Sequence, residues 1–158
     1  MPDDDPFQTF NFRVQIEVTG AESIGLTSPL CDCGFAECDG LEMTMEPKTV
    51  REGGNNREQI QLAGPVTYGN LTLKRGMTAN LDLWRWFTAV AGSAGRVGQA
   101  EGFITLKSAD GRSDNLRFTV HGCLPIKIRA PALNAREGQI AIEEMQIAYS
   151  SFTVEPGG

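Results

Sequence analysis

Apolar and polar residues alternate along much of the chain, as they do in strands that bury one face and expose the other. From Phe10 to Val18 every second residue is apolar, and the residues between are polar or charged. The same alternation predicts a strand within Phe35–Glu46, where Leu41, Met43 and Met45 share one face. Further alternating segments cover residues 71–74, 103–107, 116–121, 124–129 and 140–149.

One segment, Thr78–Ala91, has the period of a helix. Leu83 and Phe87 are four residues apart, so they fall on one side of a helix, and the segment contains few helix breakers. Thr78 or Asn80 is expected to cap the start by accepting a backbone N–H bond. This is the single helix that the sequence predicts.

The last strand changes its apolar register. Ile140 and Ile142 are followed by Met145 and Ile147, so the apolar positions slip by one at Glu143-Glu144. A β-bulge at that point would let both sets face the core. The sequence therefore predicts a bulge in the last strand.

Many strands, one helix and no alternation of strands with helices predict a mainly β fold. The expected architecture is a β-sandwich or barrel with one flanking helix. At 158 residues the chain is expected to be one domain, residues 1–158. Pro125 has no N–H for a strand ladder, so it is expected to begin its strand or to lie at a sheet edge.

Composition excludes several classes of protein. No apolar run is long enough to span a bilayer, and the acidic start MPDDDPFQTF lacks the basic and apolar regions of a secretory signal. We therefore expect a soluble chain made in the cytoplasm. The formal net charge of -6 argues against general attraction to nucleic acid, because that affinity comes largely from Lys and Arg.

Residues with metal-binding or nucleophilic chemistry are few. His121 is the only histidine, and a strand histidine is the simpler interpretation of it. Cys31, Cys33 and Cys38 lie close in sequence, but a zinc site would need Cys123 from a distant strand. We predict reduced thiols, no metal, no cofactor and no catalytic residue. A monomeric β-sandwich enzyme or metal-binding module built on these five residues stays the alternative from another class.

The stretch VREGGNNREQIQLAG, Val50 to Gly64, places a Gly-Asn turn between two Arg-Glu pairs. Backbone N–H groups around Gly53 and Gly54 could hold an anion, but Glu52 and Glu58 neutralise the neighbouring arginines. The residues alone leave a protein contact and an ordinary hairpin tip as equal alternatives.

Five segments occur in order along nearly the whole chain: CGFAECDGLEMTMEPKTVREGGNN, IQLAGPVTYGNLTLKRGM, LDLWRWF, LPIKIRAPALNA and IAIEEMQIAY. Through them, residues from about 10 to 152 resemble the tail tube proteins of contractile phages and of phage-like contractile injection systems. The chain departs from the family pattern at the cysteine-bearing LCDCGFAEC and at Tyr149-Ser150, where a His is common in the family.

The resemblance implies a structural protein without a catalytic task. Subunits of this family form hexameric rings whose sheets join side by side, and the rings stack into an inner tube with a lumen for cargo or DNA. The implied partners are further copies of the chain, the sheath protein, and baseplate and terminator proteins, with no membrane contact in the resting state. The expected location is cytoplasmic assembly into a virion or injection particle that is released on lysis. A secreted type VI-like tube and a tube initiator at the baseplate stay open as related roles.

The resemblance also implies roles for three sets of residues. The expected core contains Leu41, Met43, Met45, Leu124, Ile126, Ile128, Ile140 and Ile142. The candidate lumen lining contains Glu42, Thr44, Glu46, Lys127, Arg129 and Glu143. The expected subunit-contact loop contains Val50, Arg51, Glu52, Gly53, Gly54, Asn55, Asn56, Arg57 and Glu58.

Overall fold

The computed structural model of the chain describes residues 7, 11–20, 30–33, 35–50, 53, 59–93 and 99–157. Over these residues the chain forms twelve strands and one helix. In chain order they are β1 (Phe12–Val18), β2 (Leu30–Cys33), β3 (Glu37–Asp39), β4 (Met43–Met45), β5 (Lys48–Val50), β6 (Ile60–Leu62), β7 (Val66–Tyr68), β8 (Asn70–Gly76), α1 (Asp82–Gly92), β9 (Ala100–Lys107), β10 (Asp114–Arg129), β11 (Ile142–Ala148) and β12 (Ser151–Pro156).

Eight of these strands form one antiparallel sheet. Its order is β2-β1-β9-β10-β11-β8-β3, and β12 also pairs with β10. Residues 116–121 of β10 lie between β9 and β12, whereas residues 124–129 pair with β11. One core cluster takes side chains from both halves of the sheet and from α1. The predicted mainly β fold with one flanking helix is confirmed.

The sheet changes direction within β10, at Gly122. Pairing with β9 shifts register between Val120 and Cys123, and Gly122 has a φ of 66°, which favours glycine. At the facing corner between β11 and β12, the Ser150 backbone N–H and hydroxyl both donate to the carbonyl oxygen of His121, at 2.9 and 3.0 Å. The corner therefore joins β11 and β12 into one bent partner for β10.

A second register shift also lies in β10, between Pro125 and Lys127. The bulge that the sequence predicts at Glu143-Glu144 is wrong, because β11 pairs with β8 residue for residue from Ile142 to Ala148. Pro125 is buried inside β10 beside this shift and does not begin the strand. It lies at a sheet edge, the other predicted position, because residues 124–129 pair only with β11 among the described strands.

The regular pairing of β11 decides which residues reach the core. Glu143, Met145 and Ile147 share the buried face, so Ile142 lies on the other face and is 39% exposed. Most of the expected core is likewise exposed in the chain: Met43, Met45, Leu124, Ile126, Ile140 and Ile142. Only Leu41 and Ile128 of that set pack against the core cluster.

Helix α1 begins at Asp82, four residues after the predicted start. The Thr78 hydroxyl accepts the N–H of Asn80, and the Asn80 side chain accepts the N–H of Asp82, both at 3.1 Å. These residues order the approach to the helix, but the N-cap position itself is Leu81, which makes no side-chain capping bond. The buried side chains of Leu83 and Trp86 pack the helix against the core.

Candidate assembly surfaces

The strands β4 to β7 pair as a two-stranded hairpin, here called the arm, whose described residues are 43–50 and 59–68. At its base β4 pairs with β7, with Met43 opposite Tyr68 and Met45 opposite Val66. Farther along the hairpin β5 pairs with β6, with Val50 opposite Ile60. In the described part of the chain neither pair joins the eight-stranded sheet. The arm is therefore a separate two-stranded extension of the domain.

The arm carries large apolar side chains with little cover. Residues directly opposite each other in an antiparallel pair lie on the same face, so the pairing aligns these side chains with one another. Six of them are 40–57% exposed: Met43, Met45, Val50, Ile60, Leu62 and Val66. In each strand pair the other face is polar, because Thr44 lies opposite Thr67 in one pair and Thr49 lies opposite Gln61 in the other. An exposed apolar surface of this kind is typical of a protein interface, and a lone hairpin is marginally stable in water.

The predicted subunit-contact loop, Val50 to Glu58, lies between β5 and β6 in the sequence. Val50 ends β5 and is 42% exposed, and a side-chain atom added at Gly53 would meet nothing within 4 Å. Arg51, Glu52 and residues 54–58 lie outside the described residues. The loop's contact role stays a prediction.

Five of the six candidate lumen residues lie at the protein surface. Glu42, Thr44 and Glu46 are exposed at the base of the arm, and Lys127 and Arg129 are exposed on the second part of β10. Their polar side chains are available to line a channel, and that role stays a prediction.

Glu143 is not a surface residue, and its assignment to the lumen is wrong. It is 1% exposed and pairs with Arg75 of β8, which is 4% exposed. The Arg75 Nε donates to Glu143 Oε1, and the Trp84 Nε1 donates to Glu143 Oε2 at 2.6 Å. Arg75 Nη2 also donates to the carbonyl oxygen of Asn80 at 3.1 Å, and its guanidinium lies 5.7 Å from the centre of the Phe35 ring. The carboxylate therefore links β11, β8 and α1.

Several sheet edges are unpaired within the described residues. The second part of β10, from Leu124 to Arg129, pairs with β11 on one side, and its pairing with β9 ends at Cys123. Among the described strands, β12 pairs only with β10 and β3 pairs only with β8. Open edges present free N–H and C=O groups that another chain can pair with.

The residues considered for metal binding or nucleophilic chemistry do not form a site in the described part of the chain. Burial raises the pKa of the Cys38 thiol to about 12, with a contribution from the Asp39 charge, and burial likewise raises the pKa of the Cys123 thiol to about 12. His121 Nδ1 lies 3.4 Å from Glu101 Oε1 on the sheet. Cys31 and Cys33 lie in β2, and their side chains are outside the described set.

Neither a cluster of metal ligands nor a membrane-spanning helix is found among the described residues. Within the ranges given above, no three His, Cys, Asp or Glu side chains are grouped as metal ligands. In the same ranges, no helix is both long enough and apolar enough to cross a membrane.

Comparison with known proteins gives one family match. The family described as T4-like virus tail tube protein gp19 matches residues 8–153, nearly the whole chain. No curated protein sequence matches the chain significantly.

Several solved structures are similar to the chain over nearly its whole length. A chain of the "anti-feeding prophage (AFP) baseplate, 6-fold symmetrised" is 24% identical with a TM-score of 0.81, covering 96% of this chain and 97% of that one. A chain of an "Extracellular Contractile Injection System, PVC sheath-tube complex in extended state" is 17% identical with a TM-score of 0.77, covering 98% and 94%. A "type six secretion system protein" is 14% identical with a lower TM-score of 0.54, covering 92% and 84%. These likenesses show the fold.

Proposed function

Because the chain belongs to the T4-like virus tail tube protein gp19 family, we propose that it builds the inner tube of a contractile tail or contractile injection system. Copies of the chain form hexameric rings, and the rings stack around a lumen that holds cargo or DNA. The chain acts as a structural subunit and performs no catalysis. It assembles in the cytoplasm and ends in a virion or injection particle.

The arm is the observation that carries this proposal. It exposes six large apolar side chains, and among the described strands β4 pairs only with β7 and β5 pairs only with β6. The unpaired edges of β3, β12 and the second part of β10 offer further backbone partners. A head-to-tail contact between identical copies covers such surfaces, and it closes into a ring when the rotation between copies closes. A second copy of this chain is therefore the proposed occupant of the arm.

Charges support a polar lumen. Glu42, Glu46, Lys127 and Arg129 are exposed and of mixed sign, and Thr44 is neutral. A lining without a broad apolar or single-sign surface does not hold a passing cargo or DNA strongly. We propose that these five residues line the lumen in the assembled ring.

The other proposed partners follow from the similar proteins. Their titles refer to a baseplate and to a sheath-tube complex, and a further one refers to a tube-terminating cap. We propose that this chain contacts the sheath protein and the baseplate and terminator proteins of its own particle.

The contact loop, Val50 to Glu58, is proposed to touch a neighbouring copy, so replacing Arg51 and Arg57 together by Glu should impair stacking.

A pair of substitutions on the same strand tests the proposed role of the arm. Ile60 is 41% exposed and lies opposite Val50, and Gln61 is exposed on the other face of the same strand. Ile60→Glu places a charge in the proposed interface, whereas Gln61→Glu adds the same charge to the opposite face. Both variants should keep the wild-type melting temperature as separated monomers, because both positions are exposed.

Negative-stain images and light scattering then compare the two variants for assembly. We expect Gln61→Glu to form rings and tubes and Ile60→Glu to remain mostly unassembled, because a buried unpaired carboxylate costs several kcal/mol, on the order of 2–5. Normal tubes from Ile60→Glu would contradict the proposed role of the arm.

A further inference from the structure

We propose that Tyr149 is a positioning residue that fixes the direction in which the arm leaves the domain. The chain enters the arm through Gly40–Glu42 and returns through Tyr68–Asn70. Tyr149 lies at the corner between β11 and β12 and is 8% exposed. This inference rests on the proposed tube function and names the residue that orients its main contact surface.

The Tyr149 hydroxyl holds the outgoing strand through the backbone of Gly40 and Glu42. It donates to the carbonyl oxygen of Gly40 at 2.7 Å, with the carbonyl oxygen of Glu42 as a second acceptor at 3.3 Å, and it accepts the N–H of Glu42 at 3.2 Å. The Glu42 carbonyl oxygen in turn accepts the N–H of Gly69 on the returning strand, at 3.4 Å. One side chain from the sheet therefore connects to both strands at the root of the arm, which consists of Gly40–Glu42 and Tyr68–Asn70.

The Tyr149 ring holds the returning strand. Its centre lies 5.8 Å from that of Tyr68 at an interplanar angle of 61°, and 5.8 Å from that of Phe152 at 75°. Tyr68 and Phe152 are themselves 5.9 Å apart at 70°. Edge-to-face pairs at these distances are favourable beyond the area they bury. The three rings join the arm root to β12.

The corner that carries Tyr149 is itself fixed. The neighbouring Ser150 binds the carbonyl oxygen of His121 through both its backbone N–H and its hydroxyl. At the root, Gly40 has a φ of 108°, and a side-chain atom added there would lie 1.9 Å from the carbonyl oxygen of Asn70. The outgoing and returning backbones therefore touch, and Tyr149 attaches this contact to the bend of the sheet.

A small rotation at the root moves the tip of the arm by a large distance. The outgoing strand from Met43 to Val50 contains eight residues, which at about 3.3 Å per residue is roughly 26 Å long. A rotation of about 10° at the root then displaces the tip by roughly 4–5 Å, close to the spacing between neighbouring strands. Contacts made by the arm on a second copy therefore depend on the root angle.

Tyr149→Phe and Tyr68→Phe form a matched test, because each removes one hydroxyl from the same ring cluster. The Tyr68 hydroxyl has no hydrogen-bond partner among the described residues, whereas the Tyr149 hydroxyl has the bonds given above. Hydrogen exchange is measured on the separated chain at low concentration. In Tyr149→Phe, we expect the amides of Glu42 and Gly69 to exchange roughly tenfold faster, while core amides such as that of Met145 are unchanged.

Assembly is then compared by negative-stain imaging. We expect Tyr149→Phe to give fewer and less regular tubes and Tyr68→Phe to match the wild type. Unchanged exchange at Glu42 and Gly69, or normal tubes despite faster exchange, would overturn the positioning role. If the wild-type chain forms no rings, the proposed function is wrong, and the exchange measurement still decides whether Tyr149 holds the root.

Discussion

Replacing Glu143 with Gln removes the only carboxylate of the buried group that joins β8, β11 and α1. Each carboxylate oxygen accepts a different donor, Oε1 from Arg75 and Oε2 from Trp84. A glutamine side chain offers one acceptor oxygen, and its NH2 group would face the second donor. The Arg75 guanidinium, which is 4% exposed, would also lose the negative charge of this partner.

We expect Glu143→Gln to lower the free energy of unfolding by a large fraction of the total stability of a domain. Removing one partner from a buried ion pair typically costs about 3–5 kcal/mol, against a total stability of about 5–15 kcal/mol. For a domain of this size each kcal/mol lowers the melting temperature by about 2–4 °C, so we expect Glu143→Gln to melt roughly 6–20 °C lower. The double replacement Arg75→Met with Glu143→Leu removes both charges and should recover most of this loss.

Thermal and urea unfolding of the separated chain measures the effect, because assembly would raise the apparent stability. Glu144→Gln is the control: the neighbouring carboxylate is half-buried and faces the other side of β11. We expect that variant to stay within about 1 kcal/mol of the wild type. The reasoning is refuted if Glu143→Gln also stays within that limit, or if the double variant is no more stable than Glu143→Gln.

Two further predictions concern the bend of the sheet and the thiols. Gly122→Ala should destabilise the chain in urea by about 1–3 kcal/mol and by more than Gly111→Ala. Both glycines have positive φ, but an added side-chain atom would lie 2.3 Å from the Ser150 hydroxyl at Gly122 and 3.4 Å from its nearest neighbour at Gly111; equal losses would contradict the crowding. Cys38 and Cys123 should react with a thiol reagent at pH 8 far more slowly in the folded chain than in urea. Their pKa values rise from 9.0 in the unfolded chain to about 12, so their stabilising contribution is present below pH 9 and lost as the pH rises toward 12. Equal labelling rates in the two states, or stability unchanged over that pH range, would contradict this.

The alternation of apolar residues was sufficient to predict β1, β8, β9, β11 and most of β10, because it depends only on neighbouring positions. It did not predict β2, β5, β6, β7 and β12, which lie outside the alternating segments. The burial of Glu143 could not be predicted that way. A charged residue in an alternating strand is expected to face water, and here the burial depends on Arg75, which lies 68 positions away on β8. A local pattern contains no information about such a distant partner.

The exposed apolar residues of the arm show a second limit of the pattern. Alternation predicts that Met43 and Met45 share an apolar face, but it does not say whether that face is covered by the same chain or by another one. The slip of the apolar pattern near Ile142 also could not be interpreted from one strand alone. The register shift lies in the neighbouring strand β10, between Pro125 and Lys127, and β11 is regular. The Ile142 side chain therefore points away from the core.

Electron microscopy of the purified chain, supported by sedimentation, tests the central claim most directly. We expect six-fold rings and stacked tubes with an open lumen, formed by the chain without other components. Monomers alone, at high concentration and over a range of salt, would contradict the assignment of this chain as a self-assembling tube subunit.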